Sequence, residues 1–423
     1  MIHRNVLLRR ISSKFLLLLT IIVGSYSFAA EEHSKQEHRE YRLGVLLGFS
    51  GAGAIYSKDG LEAIKMAVDE INSKGGFLGK HKIRIIHKNT QTKANIAVRE
   101  ANGLILRDHV DAILGTYSSS CAIAIKPITH KNKVIHIAAI SNSEKITLNN
   151  FSPYTFSVVP NSYMQARSVA IGVARIAKEK NWKRYATIAS DYEWGHTTQQ
   201  NFVSQLYAIA PEIKLTAEIW PRLGDPNYAD NIAKIAKSDP DFVFGVIASK
   251  DNVRWIHFAN SVGFFKKYPY PGSLISVSEL QLHKDTIPRG IIGLARAPFF
   301  AHMDNERMKD FVNKYKQVYK KYPSDWAVLE YDAVYALKQG IEKAQSINSE
   351  KIKDALNGAE INTTRGELRF RKTDNQLICP SYLGIVKNSD KYPFPILDEM
   401  VIVSGEDSIR SKKEIIKLRH LNK

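Results

Sequence analysis

Apolar residues recur along the chain with two alternating periods from position 41 onward. Short apolar runs predict buried strands, and between them apolar residues spaced three and four apart predict amphipathic helices. The predicted strands of this first part are YRLGVLLG (41–48), KIRIIH (82–87), VDAILGT (110–116) and KVIHIAAI (133–140). Because parallel strands joined by crossover helices must be covered on both faces, the pattern predicts a doubly wound α/β domain.

The same alternation begins again after Pro160 and predicts a second α/β domain of similar build. Its strands are RYATIAS (184–190), KLTAEIW (214–220), DFVFGVI (241–247) and SLISVS (273–278). A further strand is predicted in GIIGLARAPFF (290–300), followed by amphipathic helices over 305–321 and 326–346. The chain then predicts a β-hairpin that turns at residues 373–375. The last eighteen residues, 406–423, are polar and basic and predict a polar tail, with a frayed helix as the alternative.

The first 29 residues predict a signal peptide rather than part of the fold. Four basic residues precede the short apolar run FLLLLTIIVG (15–24), and small residues follow it. A membrane-spanning helix needs about 20 apolar residues, which this run does not reach. Cleavage is expected after Ala29, and the absence of a cysteine near the cut argues against a lipid anchor.

The net charge and the cysteine content exclude few classes of function. The formal net charge is +18, but the basic residues are scattered and only the tail concentrates them. A basic surface that attracts acidic solutes or lipid headgroups is therefore favoured over nucleic-acid binding. The two cysteines, Cys121 and Cys379, do not form a disulfide framework and are interpreted as buried thiols.

The familiar catalytic and metal-binding motifs are incomplete in this sequence. GAGAIY has Tyr56 at the third glycine of a dinucleotide fingerprint, and GGFLGKH lacks the spacing of a phosphate-binding loop. GFSGA has Ala52 where a nucleophile elbow requires glycine. No histidine or cysteine spacing predicts a metal site, and no cofactor is expected.

Ligands of doubly wound sheets bind beyond the carboxyl ends of the strands, so these positions are the candidate site. Ser118 and Ser119 follow a predicted strand and begin a predicted helix, whose free N–H groups attract anions. A carboxylate clamp is one interpretation, and a serine that only caps the helix is the other. Ser141 and Asn142 end the next strand and offer a second set of short polar groups.

Aromatic residues at a strand end of the second domain suit a ligand with apolar surface. Tyr192 and Trp194 lie in SDYEWG (190–195), directly after a predicted strand. Ordinary packing at the rim of the core is the equally open alternative.

The ordered set of these motifs resembles the branched-chain amino-acid-binding family of periplasmic solute-binding proteins. In this sequence the opening strand ends in Ser50-Gly51 and the helix that follows ends at Ile71-Asn72. A turn with glycines at positions 75, 76 and 79 comes next. The later matches, in order, are AILGTYSSS, VIHIAAISNSEKIT, YTFSVVPNSYMQA, SDYEWGHT and DFVFGVI. The resemblance extends over nearly the whole chain up to about residue 405.

The resemblance implies two doubly wound parallel-sheet lobes joined by a three-stranded hinge, as in type I periplasmic binding proteins. Lobe 1 would comprise residues 41–159 and 289–358, and lobe 2 residues 160–288 and 359–405. The protein would be a monomeric periplasmic receptor that delivers a small solute to the membrane subunits of an ABC transporter. Cys121 and Cys379 would lie in different lobes, which argues against a disulfide.

Site residues carried over by position surround a solute trapped between the lobes. Ser118, with the loop of Ser141 and Asn142, would hold the carboxylate of the ligand. Tyr56 and Trp194 would form aromatic walls, Ser249 would lie near another wall, and Glu279 would bind the ammonium of an amino acid. The expected ligand-binding residues are Tyr56, Ser118, Ser119, Ser141, Asn142, Trp194, Ser249 and Glu279.

The leading hypothesis is a receptor for an amino acid or a related small carboxylate, without enzymatic activity. A receptor for an amide, urea or an aromatic acid on the same scaffold is the nearest alternative. An exported hydrolase and a ligand-sensing regulator of similar fold are further alternatives, and the signal peptide disfavours the regulator.

Overall fold

The computed structural model describes residues 39–421, apart from positions 226 and 248. The predicted signal peptide, residues 1–29, lies outside this part of the chain. The strands are β1 Tyr41–Leu47, β2 Ile83–Asn89, β3 Ala112–Gly115, β4 Ile135–Ala138, β5 Thr155–Ser157, β6 Arg184–Ala189, β7 Lys214–Ile219, β8 Phe242–Val246, β9 Ser273–Leu274, β10 Ile292–Ala295, β11 Glu360–Thr363, β12 Gly366–Phe370, β13 Leu377–Ile378, β14 Ser381–Lys387 and β15 Ile396–Val403.

The helices alternate with these strands through most of the chain. They are α1 Ala54–Ser73, α2 Ala94–Leu106, α3 Ser119–Lys131, α4 Lys145–Leu148, α5 Ser162–Lys180, α6 Glu193–Ile209, α7 Ala229–Ser238, α8 Ser249–Ser261, α9 Phe264–Lys267, α10 Val277–Leu282, α11 Glu306–Tyr319, α12 Asp325–Ala344, α13 Ser349–Leu356, α14 Gly405–Ser408 and α15 Lys412–Leu421.

The first sheet is a five-stranded parallel sheet with the order β2-β1-β3-β4-β5. Both of its faces are covered by helices. Leu43, Val45 and Leu47 of β1 pack into one hydrophobic core, and Leu46 packs into the core on the opposite face. This division follows from the two-residue period of a strand, which sends successive side chains to opposite faces. The predicted doubly wound arrangement is confirmed for this sheet.

The second sheet begins with the parallel strands β7-β6-β8 and continues toward β9, β10, β14 and β15. Backbone N–H groups of Val243 and Gly245 donate to the carbonyls of Pro269 and Pro271 at 3.0 and 3.1 Å, which joins β8 to the segment before β9. Strand β9 is parallel to β10, whereas β14 and β15 add antiparallel strands at the far edge.

Two parts of the sequence fold differently from their prediction. The run SLISVS forms only a two-residue strand, β9, because Val277 already begins helix α10. The predicted polar tail is folded into α14 and α15, and Ile415 of α15 is buried. By contrast, both cysteines are buried and unpaired as expected.

The two sheets are connected by chain segments that pack closely against each other. One such segment follows β5 and leads from the first sheet to the second. Its carbonyls at Val158 and Val159 accept hydrogen bonds from Arg365 and Gln376 at 2.9 and 2.8 Å, which fix this crossing in place. Arg365 also forms an ion pair of 3.0 Å with Asp332 of α12, in which neither side chain is exposed. A fully buried ion pair therefore fixes helix α12 to the crossing.

The described residues contain neither a membrane-spanning helix nor a metal cluster. None of the helices of this part of the chain combines the length and apolarity that crossing a bilayer requires. Among the same residues, no group of three or more histidine, cysteine, aspartate or glutamate side chains is arranged to hold a metal ion.

We predict that Asp332→Asn destabilises the fold by roughly 3–5 kcal/mol, because it leaves the Arg365 guanidinium buried without a counter-charge. Equilibrium unfolding in urea measures this loss. The control is Glu406→Gln, since Glu406 pairs with Arg369 at an exposed position and should contribute at most about 1 kcal/mol. Equal effects of the two substitutions would contradict the structural role given to the buried pair.

Candidate functional site

The carboxyl ends of strands from both sheets face each other across a narrow cleft. In the strand order β2-β1-β3-β4-β5, the segments that follow β1 and β3 diverge at the point where ligands bind such sheets. The side chains that line a cavity in this cleft are Tyr56, Tyr117, Ser119, Ile140, Asn142, Tyr192, Trp194, Leu274, Arg296 and Trp326. Four of the eight residues predicted from the sequence are among them, namely Tyr56, Ser119, Asn142 and Trp194.

Aromatic rings form most of the cavity wall and come from both lobes. The ring of Tyr56 stacks on that of Tyr117, with centroids 5.7 Å apart and planes 12° apart, and meets Trp326 edge to face at 5.1 Å. On the opposite side, Tyr192 and Trp194 lie at the start of α6, with their centroids 6.0 Å apart. Tyr56 and Trp194 are 3% and 2% exposed. The predicted aromatic character of the site is therefore present on both sides.

Arg296 is the charged residue of the cavity wall, and it is not among the residues predicted from the sequence. It directly follows β10, and its backbone N–H donates to a carboxylate oxygen of Asp325 at 3.0 Å, which fixes its position. Its guanidinium lies between the rings of Trp194 and Trp326, at 5.4 and 5.1 Å from their centroids. The side chain thus reaches from the second lobe into the middle of the cleft.

Only part of the hydrogen-bonding capacity of Arg296 is used by the protein. Nη1 donates to the carbonyl of Ile140 and Nη2 to Oδ1 of Asn142, both at 3.0 Å. Nε is buried and has no partner. Burial lowers the pKa of Arg296 to about 10, so the group remains cationic at neutral pH. No carboxylate is among the residues that line the cavity.

Ser119 and Asn142 shape the cleft mainly through bonds within the protein. The Ser119 hydroxyl oxygen accepts the N–H groups of Asn142 and Ser143 at 3.3 and 3.1 Å, which joins the start of α3 to the loop after β4. The Asn142 amide donates to the Pro160 carbonyl and to Gln165, at 3.1 and 2.9 Å. These bonds position the loop that carries the carbonyl and amide oxygens bound by Arg296.

Ser118 and Ser141 are buried behind the cavity and are not part of its lining. Ser118 is the N-cap residue of α3, but its hydroxyl makes no capping hydrogen bond. The hydroxyl of Ser141 has no partner. The side chain of Ser249, the first residue of α8, lies outside the part of the chain that is described. Ligand contacts of these three residues remain predictions.

Glu279 lies next to the cavity, but its carboxyl group is bound within the protein. It is the third residue of α10 and forms a capping box with Ser276, whose N–H donates to Oε2 at 3.0 Å. The hydroxyl of Tyr56 donates to Oε1. Burial raises the pKa of Glu279 to about 7. Its link to the cavity therefore passes through the Tyr56 hydroxyl.

The chain is similar in sequence to known periplasmic binding proteins. A family model described as periplasmic binding protein matches residues 40–391. A relative from Brucella suis biovar 1 (strain 1330), named Leu/Ile/Val-binding protein homolog 7, is 22% identical over 339 residues. This alignment covers 76% of the chain and 82% of the relative.

Solved structures with the same fold cover most of the chain. A periplasmic binding protein from Burkholderia mallei has a TM-score of 0.79 and 21% identity, covering 89% of this chain and 97% of that one. A solute binding protein of an ABC transporter from Rhodopseudomonas palustris BisB5, in complex with 3,4-dihydroxybenzoic acid, has a TM-score of 0.75 and 19% identity. This second match covers 89% of this chain and 99% of that one.

The match over most of the chain and the two facing α/β sheets confirm the resemblance found in the sequence. The likeness to solved structures confirms the two-lobed fold, and the sheets described above form its two lobes. The chain belongs to the periplasmic binding protein family, in the branched-chain amino-acid-binding group of type I fold, whose members are solute-binding proteins of ABC transporters.

Proposed function

We propose that this protein is the receptor of an ABC importer for a small organic acid, and that Arg296 binds the carboxylate of that acid. The observation that carries the proposal is the buried Arg296 guanidinium, whose Nε has no partner and whose two hydrogen bonds go to uncharged oxygens. The nearby Asp325 carboxylate accepts the backbone N–H of Arg296, and no carboxylate lines the cavity. A buried charge without a counter-charge is costly, so an anionic solute is the natural partner for this group.

The chemistry of the guanidinium suits a carboxylate. An arginine side chain has five N–H donors, and the two hydrogen bonds to Ile140 and Asn142 use only two of them. A carboxylate accepts two parallel N–H bonds from such a group, which fixes its orientation as well as its charge. In a cleft shielded from water these bonds are stronger than at an exposed surface.

The remaining cavity wall favours a solute with a flat, apolar body. Tyr56, Tyr117 and Trp326 on one side, and Tyr192 and Trp194 on the other, present ring faces and edges to the cavity. Aromatic rings interact favourably with each other in stacked or edge-to-face arrangements. The relative from Rhodopseudomonas palustris is in complex with 3,4-dihydroxybenzoic acid, an acid of this kind. An aromatic carboxylate is therefore the solute class that we favour.

An amino acid is the second candidate, because Glu279 lies beside the cavity and the Brucella suis relative is named as a Leu/Ile/Val-binding protein. Its ammonium would need the Glu279 carboxylate, which is engaged by Tyr56 and Ser276. If the solute is an amino acid, Glu279→Gln should weaken its binding by roughly 2–5 kcal/mol. The same change should affect an aromatic acid far less.

The proposal also covers the export of the protein and its location in the cell. We infer that residues 1–29 are removed on export, that the mature protein is a monomer in the periplasm without a lipid anchor, and that it delivers solute to the membrane subunits of its transporter. The boundaries of the lobes proposed from the sequence are residues 41–159 with 289–358 and residues 160–288 with 359–405. Two segments lie on the other side of these boundaries. Strand β10, which precedes Arg296, pairs with β9 and β14 of the second sheet, whereas β11 packs on α12 and Gln376 pairs with Ser157 of the first sheet. We propose no enzymatic activity for the chain.

We predict that Arg296→Met abolishes or strongly weakens binding of aromatic acids. Loss of a desolvated charge pair costs roughly 2–5 kcal/mol, or about thirtyfold or more in Kd. Isothermal titration with benzoate, 4-hydroxybenzoate and 3,4-dihydroxybenzoate as probes measures the change. Arg296→Lys should bind more weakly than the unmodified protein, because lysine keeps the charge but lacks the planar pair of donors.

The matched control is Arg254→Gln, which removes a half-exposed arginine of α8 that pairs with Asp251 and does not line the cavity. This variant should bind the same probes with unchanged affinity. Binding of the aromatic acids to Arg296→Met within about twofold of the unmodified protein would contradict the proposed role of Arg296.

We also predict that Glu279 makes stability decrease as the pH rises from about 4.5 to 7. Its pKa is raised from 4.5 to about 7 in the folded protein, so within this window the folded state holds a proton that the unfolded state has lost. The difference in unfolding free energy between the protein and Glu279→Gln should shift by up to about 3 kcal/mol across the window.

Urea unfolding of both proteins at pH 5, 6, 7 and 8 measures this difference. Burial also raises the pKa of Glu330, to about 8, but Glu330 is present in both proteins and its contribution cancels. A difference that does not change with pH would show that the Glu279 carboxyl is ionised throughout the range and would contradict the burial given to it.

A further inference from the structure

The C-terminal segment crosses between the lobes after the last strand of the second sheet. We call residues 405–421, which comprise α14 and α15, the C-terminal strap. Helix α14 packs on α5 of the second lobe, whereas α15 packs on α4 of the first lobe. The family match ends at residue 391, before the strap begins. The strap is thus a further connection between the lobes, in addition to the three crossings of the hinge.

Arg410 lies between the two helices of the strap and contacts both lobes. Its Nε and Nη2 donate to the two carboxylate oxygens of Glu144 at 2.6 and 3.0 Å, and Nη2 also donates to Oδ1 of Asn201 at 2.9 Å. Asn201 in turn donates to Glu144 at 2.8 Å. The guanidinium carbon lies 3.8 Å from the centroid of the Tyr163 ring. The result is a closed set of hydrogen bonds among three chain segments.

Glu144 belongs to the loop that forms the first-lobe side of the solute cavity. The same loop carries Asn142, which binds Arg296. Asn201 lies on α6, whose first turn carries Trp194 of the opposite wall. Ser143 makes a second contact between this loop and α6, because its hydroxyl donates to Glu193 at 3.0 Å. Arg410, Glu144 and Asn201, which we call the Arg410 cluster, therefore fix two cavity-forming segments of different lobes against each other.

We propose that the strap holds the lobes toward their closed arrangement, with Arg410 acting as a positioning residue through Glu144 and Asn201. The bonds from Arg410 and Glu144 to Asn201 join the two lobes, so they are made only when α6 lies against the loop after β4. A contact made in one of two arrangements shifts the equilibrium toward that arrangement. The inference does not depend on the identity of the solute.

The competing explanation is that the strap only completes the fold of the first lobe. Arg419 of α15 has that kind of role, since it donates to the carbonyls of Thr147 and Leu148, each at 3.1 Å, and to that of Thr373 at 2.8 Å. These partners include no residue of α6. Arg419 therefore provides a matched control that weakens the attachment of the strap without removing the contact between the loop and α6.

The test measures the distance between the lobes without added solute. Spin labels on Ser50→Cys and Arg222→Cys, at exposed positions on the two rims of the cleft, report this distance by double electron–electron resonance. The native cysteines are buried and should not be labelled. Arg410→Gln should lower the ratio of closed to open molecules by about fivefold or more. Arg419→Gln should leave the ratio unchanged while lowering the melting temperature.

Asn201→Ala keeps the test decisive if Arg410→Gln folds poorly. This change removes the hydrogen bonds of Asn201 with Arg410 and Glu144 but leaves the ion pair between Arg410 and Glu144. Helix α15 should therefore stay protected from hydrogen exchange while the closed fraction falls. The proposal is overturned if the distance distribution of Asn201→Ala equals that of the unmodified protein. A distribution that changes equally in Arg419→Gln and Arg410→Gln would also overturn it.

Discussion

The burial of the Arg296 guanidinium is the constraint on which the arrangement of the cleft depends. A cation removed from water must be compensated by acceptors, π faces or a counter-charge. The structure supplies the carbonyl of Ile140, the amide oxygen of Asn142 and the rings of Trp194 and Trp326. These groups come from both lobes, so the side chain is fully enclosed only when the lobes face each other. In the proposed function, solute binding and the relative position of the lobes are linked through this one residue.

The parallel sheets explain why these groups meet. Each lobe directs the carboxyl ends of its central strands toward the cleft, and the segments that follow β1, β3, β4, β6 and β10 carry the side chains of the cavity. The Tyr56 ring and the loop after β4 are held by hydrogen bonds within the protein, which pre-organises this part of the cavity wall. Pre-organisation lowers the entropic cost of binding a small solute.

The sequence was sufficient to predict the alternation of strands and helices, the family and four of the ten residues that line the cavity. Periodicity and strand ends are local properties, and they led to Ser119, Asn142 and Trp194, whereas Tyr56 came from the family resemblance. The position of Glu279 was predicted less well, although the Ser276-x-x-Glu279 spacing of a capping box was a local signal that a helix begins there. The charge within GIIGLARAPFF was a comparable signal for Arg296.

The remaining features depend on contacts between distant parts of the chain. Arg296 binds Ile140 and Asn142, which precede it by 156 and 154 residues. Arg410 binds Glu144, 266 residues earlier, which converts an apparently solvated basic tail into a folded strap. Composition alone cannot distinguish a basic residue in solvent from one whose partner is brought to it by the fold.

The central claim, that the cleft accepts a carboxylate without an accompanying ammonium, is tested most directly by two solutes that differ only in that group. Isothermal titration should compare 3-phenylpropanoate with phenylalanine under identical conditions. We predict that 3-phenylpropanoate binds at least about tenfold more tightly, a difference of about 1.4 kcal/mol, because the ammonium of phenylalanine finds no free carboxylate in the cavity. Equal or tighter binding of phenylalanine would contradict this account.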